Sequence, residues 1–336
     1  MKVLVTGGAG YIGSHVLVEL LLRGDEAIVF DSFERGHEDA VRRAERLGGG
    51  RVAVERGDLC DTGRVRDVLA AHEPDVVVHL AAYKSVGESI AHPERYERNN
   101  LQATRSLAAA MIESDCRRFV YASTGGVYGD AARPGAIDET APLMPLSPYA
   151  LTKAQGEAIL SGAAEDHGFV GVNLRFFNVC GAHPSGELGE FADAPTNLLP
   201  VLMRQIVTSA RPSVTVFGTD YATPDGSCIR DYIHICDIAS GILAAVDATR
   251  EGPPHRVYNL GTGRGCSVLQ MVRAVEVAWG RNFVSHFGDR REGDPAVCVA
   301  DPSRIARELG WRSRFALHDM VESTLGWTEQ RHAVLA

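Results

Sequence analysis

A chain of 336 residues with a formal net charge of −9 has no surplus of Lys and Arg from which to build a broad basic face, which argues against nucleic acid or an anionic membrane surface as its main partner. Apolar residues make up 45% and charged residues 23%, the balance of an ordinary globule without low-complexity tracts or repeats, long enough for two substructures on one body. An acidic protein that binds an anionic substrate must then concentrate a few Arg or Lys side chains in one pocket.

Read from the start, Met1-Lys2-Val3-Leu4-Val5-Thr6 passes straight into glycines; the run is too short for a signal-peptide core and predicts a first strand, Lys2–Thr6. Further strands are expected over 26–31, 52–55, 76–80, 118–123 and 170–176. Helices near 12–23, 37–47, 62–72, 94–114 and 149–167 fall between them. Strands such as Val-Val-Val-His-Leu are apolar throughout, as strands buried on both faces must be, so the βα alternation predicts a doubly wound parallel α/β sheet. After 176 Pro and Gly become frequent and the elements turn short. We therefore expect a dinucleotide-binding domain over 1–176 and a smaller α/β substrate-binding domain over 177–336, with segments near 230–262 regular enough to return to the first. No apolar stretch approaches the roughly 18 residues that span a bilayer. The seven cysteines are scattered without a C-x-x-C pair, which predicts reduced thiols in a cytoplasmic protein and no metal site.

The first βα turn carries Gly7, Gly10 and Gly13 in a G-x-x-G-x-x-G spacing. Glycines there permit a tight turn and a close approach of the backbone, so that helix N-terminal amides meet a pyrophosphate. This is the Rossmann arrangement. Asp31 ends the second strand, where a carboxylate accepts both ribose hydroxyls and repels a 2′-phosphate, so NAD is expected over NADP; nearby Arg35 weakens that preference. Asp58 follows the third strand within reach of an adenine amino group, and the small residues Ala81 and Ala82 after Leu80 let a flat cofactor lie against the chain. Tyr149 and Lys153 are spaced Y-x-x-x-K at the start of a helix and share one face. A Lys ammonium and a nicotinamide cation beside the phenol are expected to lower its pKa from ~10 and make it a usable base. Either Ser123 or Thr124, at the end of the fifth strand, is a candidate hydroxyl partner.

These motifs, with VGES, STGGVYGD, RFFNVCGAHPSG, RDYIHICD, YNLGTG and RREGD, make the chain resemble the UDP-hexose 4-epimerases of the extended short-chain dehydrogenase/reductase family over nearly its whole length. The resemblance implies Tyr149 as catalytic base and acid, Lys153 as ribose anchor and pKa modulator, and Thr124 as hydroxyl partner of the sugar. It implies NAD contacts at Gly7, Gly10, Tyr11, Ile12, Gly13, Asp31, Ser32, Phe33, Arg35, Asp58, Leu59, Leu80, Ala81, Ala82, Lys84, Asn99, Tyr149, Lys153 and Phe177. Around the nucleotide sugar it places Lys84, Thr124, Tyr149, Phe177, Asn178, Asn197, Leu198, Phe217, Arg230, Arg291, Asp294 and Cys298. Arg35 stands where the bacterial enzymes often have Asn, which puts only the ribose contact in doubt.

Sugar 4,6-dehydratases of the family carry an Asp-Glu pair directly after the catalytic Thr; this chain has Gly125-Gly126. The chemistry with fewest parts follows, an NAD-dependent inversion of C4 in UDP-glucose and UDP-galactose through a transient 4-keto sugar. Alternatives are a UDP-pentose or UDP-uronate epimerase, or a non-catalytic NAD(H) sensor. The smaller Cys298, where some members have Tyr, leaves room for an N-acetyl group. A homodimer through the helices near 94–114 and 149–167 is expected, although Leu101, Leu107, Ala108 and Met111 are equally explained by packing on the sheet.

Overall fold

The computed structural model describes residues 1–131, 135–191, 195–291 and 294–335; Glu292 and Gly293 of the RREGD stretch lie outside the described residues. The strands are β1 (Lys2–Thr6), β2 (Glu26–Asp31), β3 (Val52–Arg56), β4 (Val76–His79), β5 (Arg118–Thr124), β6 (Val170–Phe176), β7 (Asn178–Cys180), β8 (Ser213–Phe217), β9 (Ile229–His234), β10 (His255–Leu260), β11 (Gly265–Ser267), β12 (Val284–Gly288) and β13 (Val297–Cys298). Seven of them form one parallel sheet in the order β10-β6-β5-β4-β1-β2-β3. The order reverses between β1 and β4, so the crossovers leave on opposite sides and open a crevice at the carboxyl ends of these two strands.

Val3, Val5, Val76 and Val78 point to one face of the sheet and Leu4 and Val77 to the other, all at most 1% exposed. Burial on both faces explains why the alternation expected of a half-solvated strand is absent. The helix Tyr11–Leu22 packs Val16, Leu17 and Leu20 on the first face together with Ile238, Ile242 and Val246 from the helix Ile235–Ala248.

The expected helix over 94–114 is broken into Pro93–Tyr96, a π-helical turn Glu97–Gln102 and Ala103–Ile112. The wide turn carries the buried Asn100, whose amide accepts from the Tyr83 N–H (2.8 Å) and donates to the Tyr83 carbonyl (3.0 Å). A backbone-like pair made by one side chain replaces a strand partner for the segment leaving β4. Leu101, Leu107, Ala108 and Met111 are all buried within the chain.

In the second half β9 is central, antiparallel to β11 and parallel to β13 and β7. Its registers bring Arg230 opposite both Cys266 and Cys298. The helices Leu198–Thr208, Val268–Trp279 and Leu317–Leu335 form a separate core around Leu202, Met271 and Val321. Among the described residues no helix is long and apolar enough to cross a membrane, and no His, Cys, Asp or Glu group could hold a metal ion.

Candidate active site

Gly7 adopts φ +72°, and a Cβ there would lie 2.7 Å from the Ala81 nitrogen; at Gly13 it would lie 2.3 Å from the Gly7 carbonyl oxygen. The turn is thus closed to any side chain on both counts. Helix Tyr11–Leu22 begins at Gly10 with no side-chain cap, so the first-turn amides, that of Ile12 included, face the crevice without a protein acceptor from the cap. Gly7 packs on Ala81, next to Leu80 and Ala82, which places the small residues after β4 against the glycine turn.

Asp31 at the end of β2 is 9% exposed and accepts from the Ala9 amide (3.0 Å) and the Phe33 amide (2.8 Å). Burial raises its pKa against the pull of those two bonds. Each carboxylate oxygen retains a lone pair for a ribose hydroxyl. Phe33 takes φ +59°, with Arg56 4.4 Å above its ring, and the exposed Ser32 hydroxyl accepts from the Glu34 amide. Arg35 pairs with Glu88 at 2.6 Å and lies 3.9 Å over the Tyr83 ring. Asp58 pairs with Arg98 at 2.6 Å beside the buried Leu59; burial pushes its pKa up, but the Cys60 amide and Arg98 bring it below the usual range. Asn99 sits in the π-helical turn and donates to Asn100. The glycine cradle, uncapped helix end and Asp31 fit a dinucleotide.

At the end of β5 the two candidate hydroxyls part. Ser123 is 2% exposed and donates to Glu157, whereas Thr124 accepts from the Gly126 amide (3.1 Å) and stands beside the Tyr149 phenol, whose pKa it lowers. Helix Pro148–His167 presents Tyr149 and Lys153 in its first turns, capped by Ser147. Lys153 is 4% exposed, donates to the Ala122 carbonyl at 2.7 Å and sits 4.8 Å over the Tyr121 ring. Burial lowers its pKa to about 7, with Glu157 pulling upward. Burial raises the Tyr149 phenol to about 12, and the Thr124 hydroxyl pulls it down. The spacing on the helix is as expected, but the ammonium is turned to a strand carbonyl.

Across the crevice Phe177 covers Gly125, whose added Cβ would meet the ring at 3.1 Å, and joins Val127, Tyr128, Ile137 and Ala300 in a small core against which Cys298 packs. Burial pushes the Cys298 thiol up to about 11, with Arg230 pulling down. Arg230 donates through Nη1 to the carbonyls of Ile229 (2.9 Å) and Pro295 (2.7 Å). Its buried Nη2 lies 3.3 Å from Asp294 but makes no hydrogen bond. A buried guanidinium with donors to spare is costly unless an anion takes them. Arg291 does not join it in a fork; it is exposed and lies 4.1 Å over Phe217. Asn178 is exposed on β7, Asn197 caps no amide ahead of the half-buried Leu198, and no hydrogen bond or ion pair between described residues ties any of these three to Arg230. Lys84 is held by Glu190 at 2.6 Å, and Tyr11 donates to the Gly181 carbonyl at 2.5 Å. Glu190, Glu157 and Arg175 escaped the sequence reading; for Glu157 the signal was its place four residues after Lys153.

The model of the NAD dependent epimerase/dehydratase family matches residues 3–261. The chain belongs to that family. Among curated relatives it is 41% identical over 329 residues to a UDP-glucose 4-epimerase of Bacillus subtilis, covering 97% of this chain and 96% of the relative. A UDP-glucose 4-epimerase of Stenotrophomonas maltophila, crystallised with NAD and formylated UDP-arabinopyranose, superposes with a TM-score of 0.95 at 38% identity and 99% coverage of both chains. One from Bifidobacterium longum, with NAD+ and UDP, gives a TM-score of 0.93 at 38% identity and 98% coverage of both. Within the NAD dependent epimerase/dehydratase family the chain thus sits among the C4 epimerases, as its sequence motifs imply.

Proposed function

We propose that this enzyme, an NAD-dependent C4 epimerase of UDP-hexoses, interconverts UDP-glucose and UDP-galactose through a transient 4-keto sugar. The observation that carries the reading is the half-buried Tyr149 with the Thr124 hydroxyl beside its phenol at the crevice, Gly125-Gly126 following Thr124 and no carboxylate at that place to drive an elimination. Bound NAD supplies reversible two-electron oxidation at C4. Tyr149 takes the proton of the 4-hydroxyl and later returns it, Thr124 orients that oxygen, and Lys153 supplies positive charge from within the same helix face. Gly7, Gly10, Gly13, Tyr11 and Ile12 hold the pyrophosphate, Asp31, Ser32, Phe33 and Arg35 border the adenosine ribose, and Asp58 and Leu59 border the adenine. Leu80, Ala81, Ala82, Lys84, Asn99 and Phe177 flank the remainder of the cofactor.

Arg230 and Asp294 anchor the UDP, with Asn178, Asn197, Leu198, Phe217 and Arg291 around it. The sugar ring is left free to turn beneath Phe177 and Cys298. Residues 1–176, completed by the helix Ile235–Ala248 and β10, thus hold the cofactor with Phe177, and the rest, Arg230 included, holds UDP. We further take the enzyme as a cytoplasmic homodimer of galactose metabolism. Seven free thiols support the compartment. The exposed Val86, Ile90 and Leu151 on two helices packed together support a helical dimer face.

The reading is tested by giving purified protein UDP-galactose or UDP-glucose with no added oxidant or reductant. Each sugar is expected to be converted into a mixture of both, and the supernatant of denatured protein is expected to contain NAD. Recovery of NADP, or a requirement for a stoichiometric oxidant, would overturn it.

Cys298 bears on sugar range. Its thiol packs with Phe177 at the sugar end, and a Tyr there would add most of an aromatic ring to that space. UDP-N-acetylglucosamine and its galacto epimer are expected to be substrates as well. Cys298→Tyr is expected to abolish turnover of the N-acetyl pair while sparing the plain hexoses. Wild-type protein that turns over UDP-galactose readily and the N-acetyl pair not at all would refute the wider range.

A further inference from the structure

Glu157 lies four residues beyond Lys153 on the helix Pro148–His167 and is 5% exposed. A carboxylate buried that deeply must be compensated. Arg175 on β6 grips it with two bonds, Nε to Oε1 at 3.0 Å and Nη2 to Oε2 at 2.7 Å, and the Ser123 hydroxyl donates to Oε1. Arg175 also donates to the Tyr128 hydroxyl at 2.9 Å, which donates to Asn259 on β10 at 2.6 Å. The network ties the catalytic helix to β5, β6 and β10.

Stability alone does not explain it, since well-packed apolar residues commonly match a buried ion pair. Lys153 does. Its ammonium is buried, and its hydrogen bond goes to the neutral Ala122 carbonyl. The groups facing it are His79 on β4, which burial keeps neutral between Thr6 and Thr104, the Tyr121 phenol and Glu157. Arg175 stands behind Glu157. Of these groups Glu157 alone is a carboxylate, held in an ion pair with Arg175.

We propose that Glu157 is a positioning residue of the reaction: its carboxylate is the counter-charge that keeps Lys153 an ammonium in its buried place, and Ser123 and Arg175 fix the carboxylate there. The inference rests on Lys153 acting with Tyr149. An opposite charge favours the ionised form. Removing it therefore lowers the pKa of Lys153, and activity that needs the ammonium is lost at a lower pH.

The chain has three lysines, Lys2, Lys84 and Lys153, so ¹³Cε-lysine NMR of the holoenzyme reports Lys153 directly, with Lys153→Arg assigning the signal. In Glu157→Gln the Lys153 titration and the alkaline limb of kcat are both expected to move down by about one pH unit, with little change in KM. Because this variant strands Arg175, Glu157→Gln/Arg175→Gln serves as its partner; neutral amides replace the ion pair, and the displaced titration is expected to persist while thermal stability recovers. An unmoved Lys153 titration in both variants, or a limb that returns to its wild-type position along with stability, would overturn the proposal. Retained turnover in Lys153→Met would instead remove the reading on which it rests.

Discussion

Tyr149→Phe is expected to lower kcat by ~10²–10⁴-fold, the range for loss of a general acid–base group, with the fold and cofactor content unchanged. The ring keeps its edge-on contact with Tyr96, whose centroid is 6.3 Å away, so only the hydroxyl is removed. Burial holds that phenol at about 12, and ionisation near neutral pH must be drawn out by charge brought to the site. Thr124→Val, which removes the hydroxyl beside the same oxygen, is expected to have a smaller effect on kcat. Steady-state assays at several pH values check both variants. Near-normal turnover in Tyr149→Phe would remove the phenol from the mechanism.

Arg230→Met is expected to raise KM for UDP-glucose by ~10–100-fold, the equivalent of one charge-assisted hydrogen bond at about 1.5–3 kcal/mol. Much of kcat should survive, because the diphosphate is remote from the reacting carbon. The Arg230 side chain is held on two backbone carbonyls and leaves Nη2 without a bond, so its donors are set in place before ligand arrives. Arg230→Lys retains charge without the fork and is expected to fall between. Calorimetric titration with UDP separates binding from turnover. A KM unchanged in Arg230→Met would move the diphosphate elsewhere.

The sequence makes legible what depends on near neighbours. Gly7 and Asp31 follow from one βα turn and one strand end, and the burial of β1 and β4 follows from their unbroken apolar runs. Tyr149 and Lys153 were likewise readable as one helix face. Glu157 shares that face too, four residues on, but the strand groups that hold them, Ala122 for Lys153 and Ser123 and Arg175 for Glu157, were not readable, because they depend on how the helix packs on the sheet. The π-helical turn has no local signature; it exists because Asn100 bonds a chain segment 17 residues away. Arg230 and Cys298 are 68 residues apart in the chain and opposite each other in register. No spacing rule connects them, and only likeness to a family placed them together.

The edge strand β10 has a consequence for how the molecule is made. It pairs with β6, and its Tyr258 and Leu260 enter the same core as Val16 and Leu17 of the first helix, as do Ile238 and Ile242. The sheet that receives the cofactor therefore cannot close until synthesis has passed residue 260. Until then the emerging chain shows water an apolar face on β6 and on the first helix. Pairings this distant in sequence form slowly, and a nascent chain with that face uncovered is open to aggregation. A gene fragment ending at 176 would carry every glycine of the nucleotide turn and still expose this core, so the two halves are to be expressed as one chain or not at all.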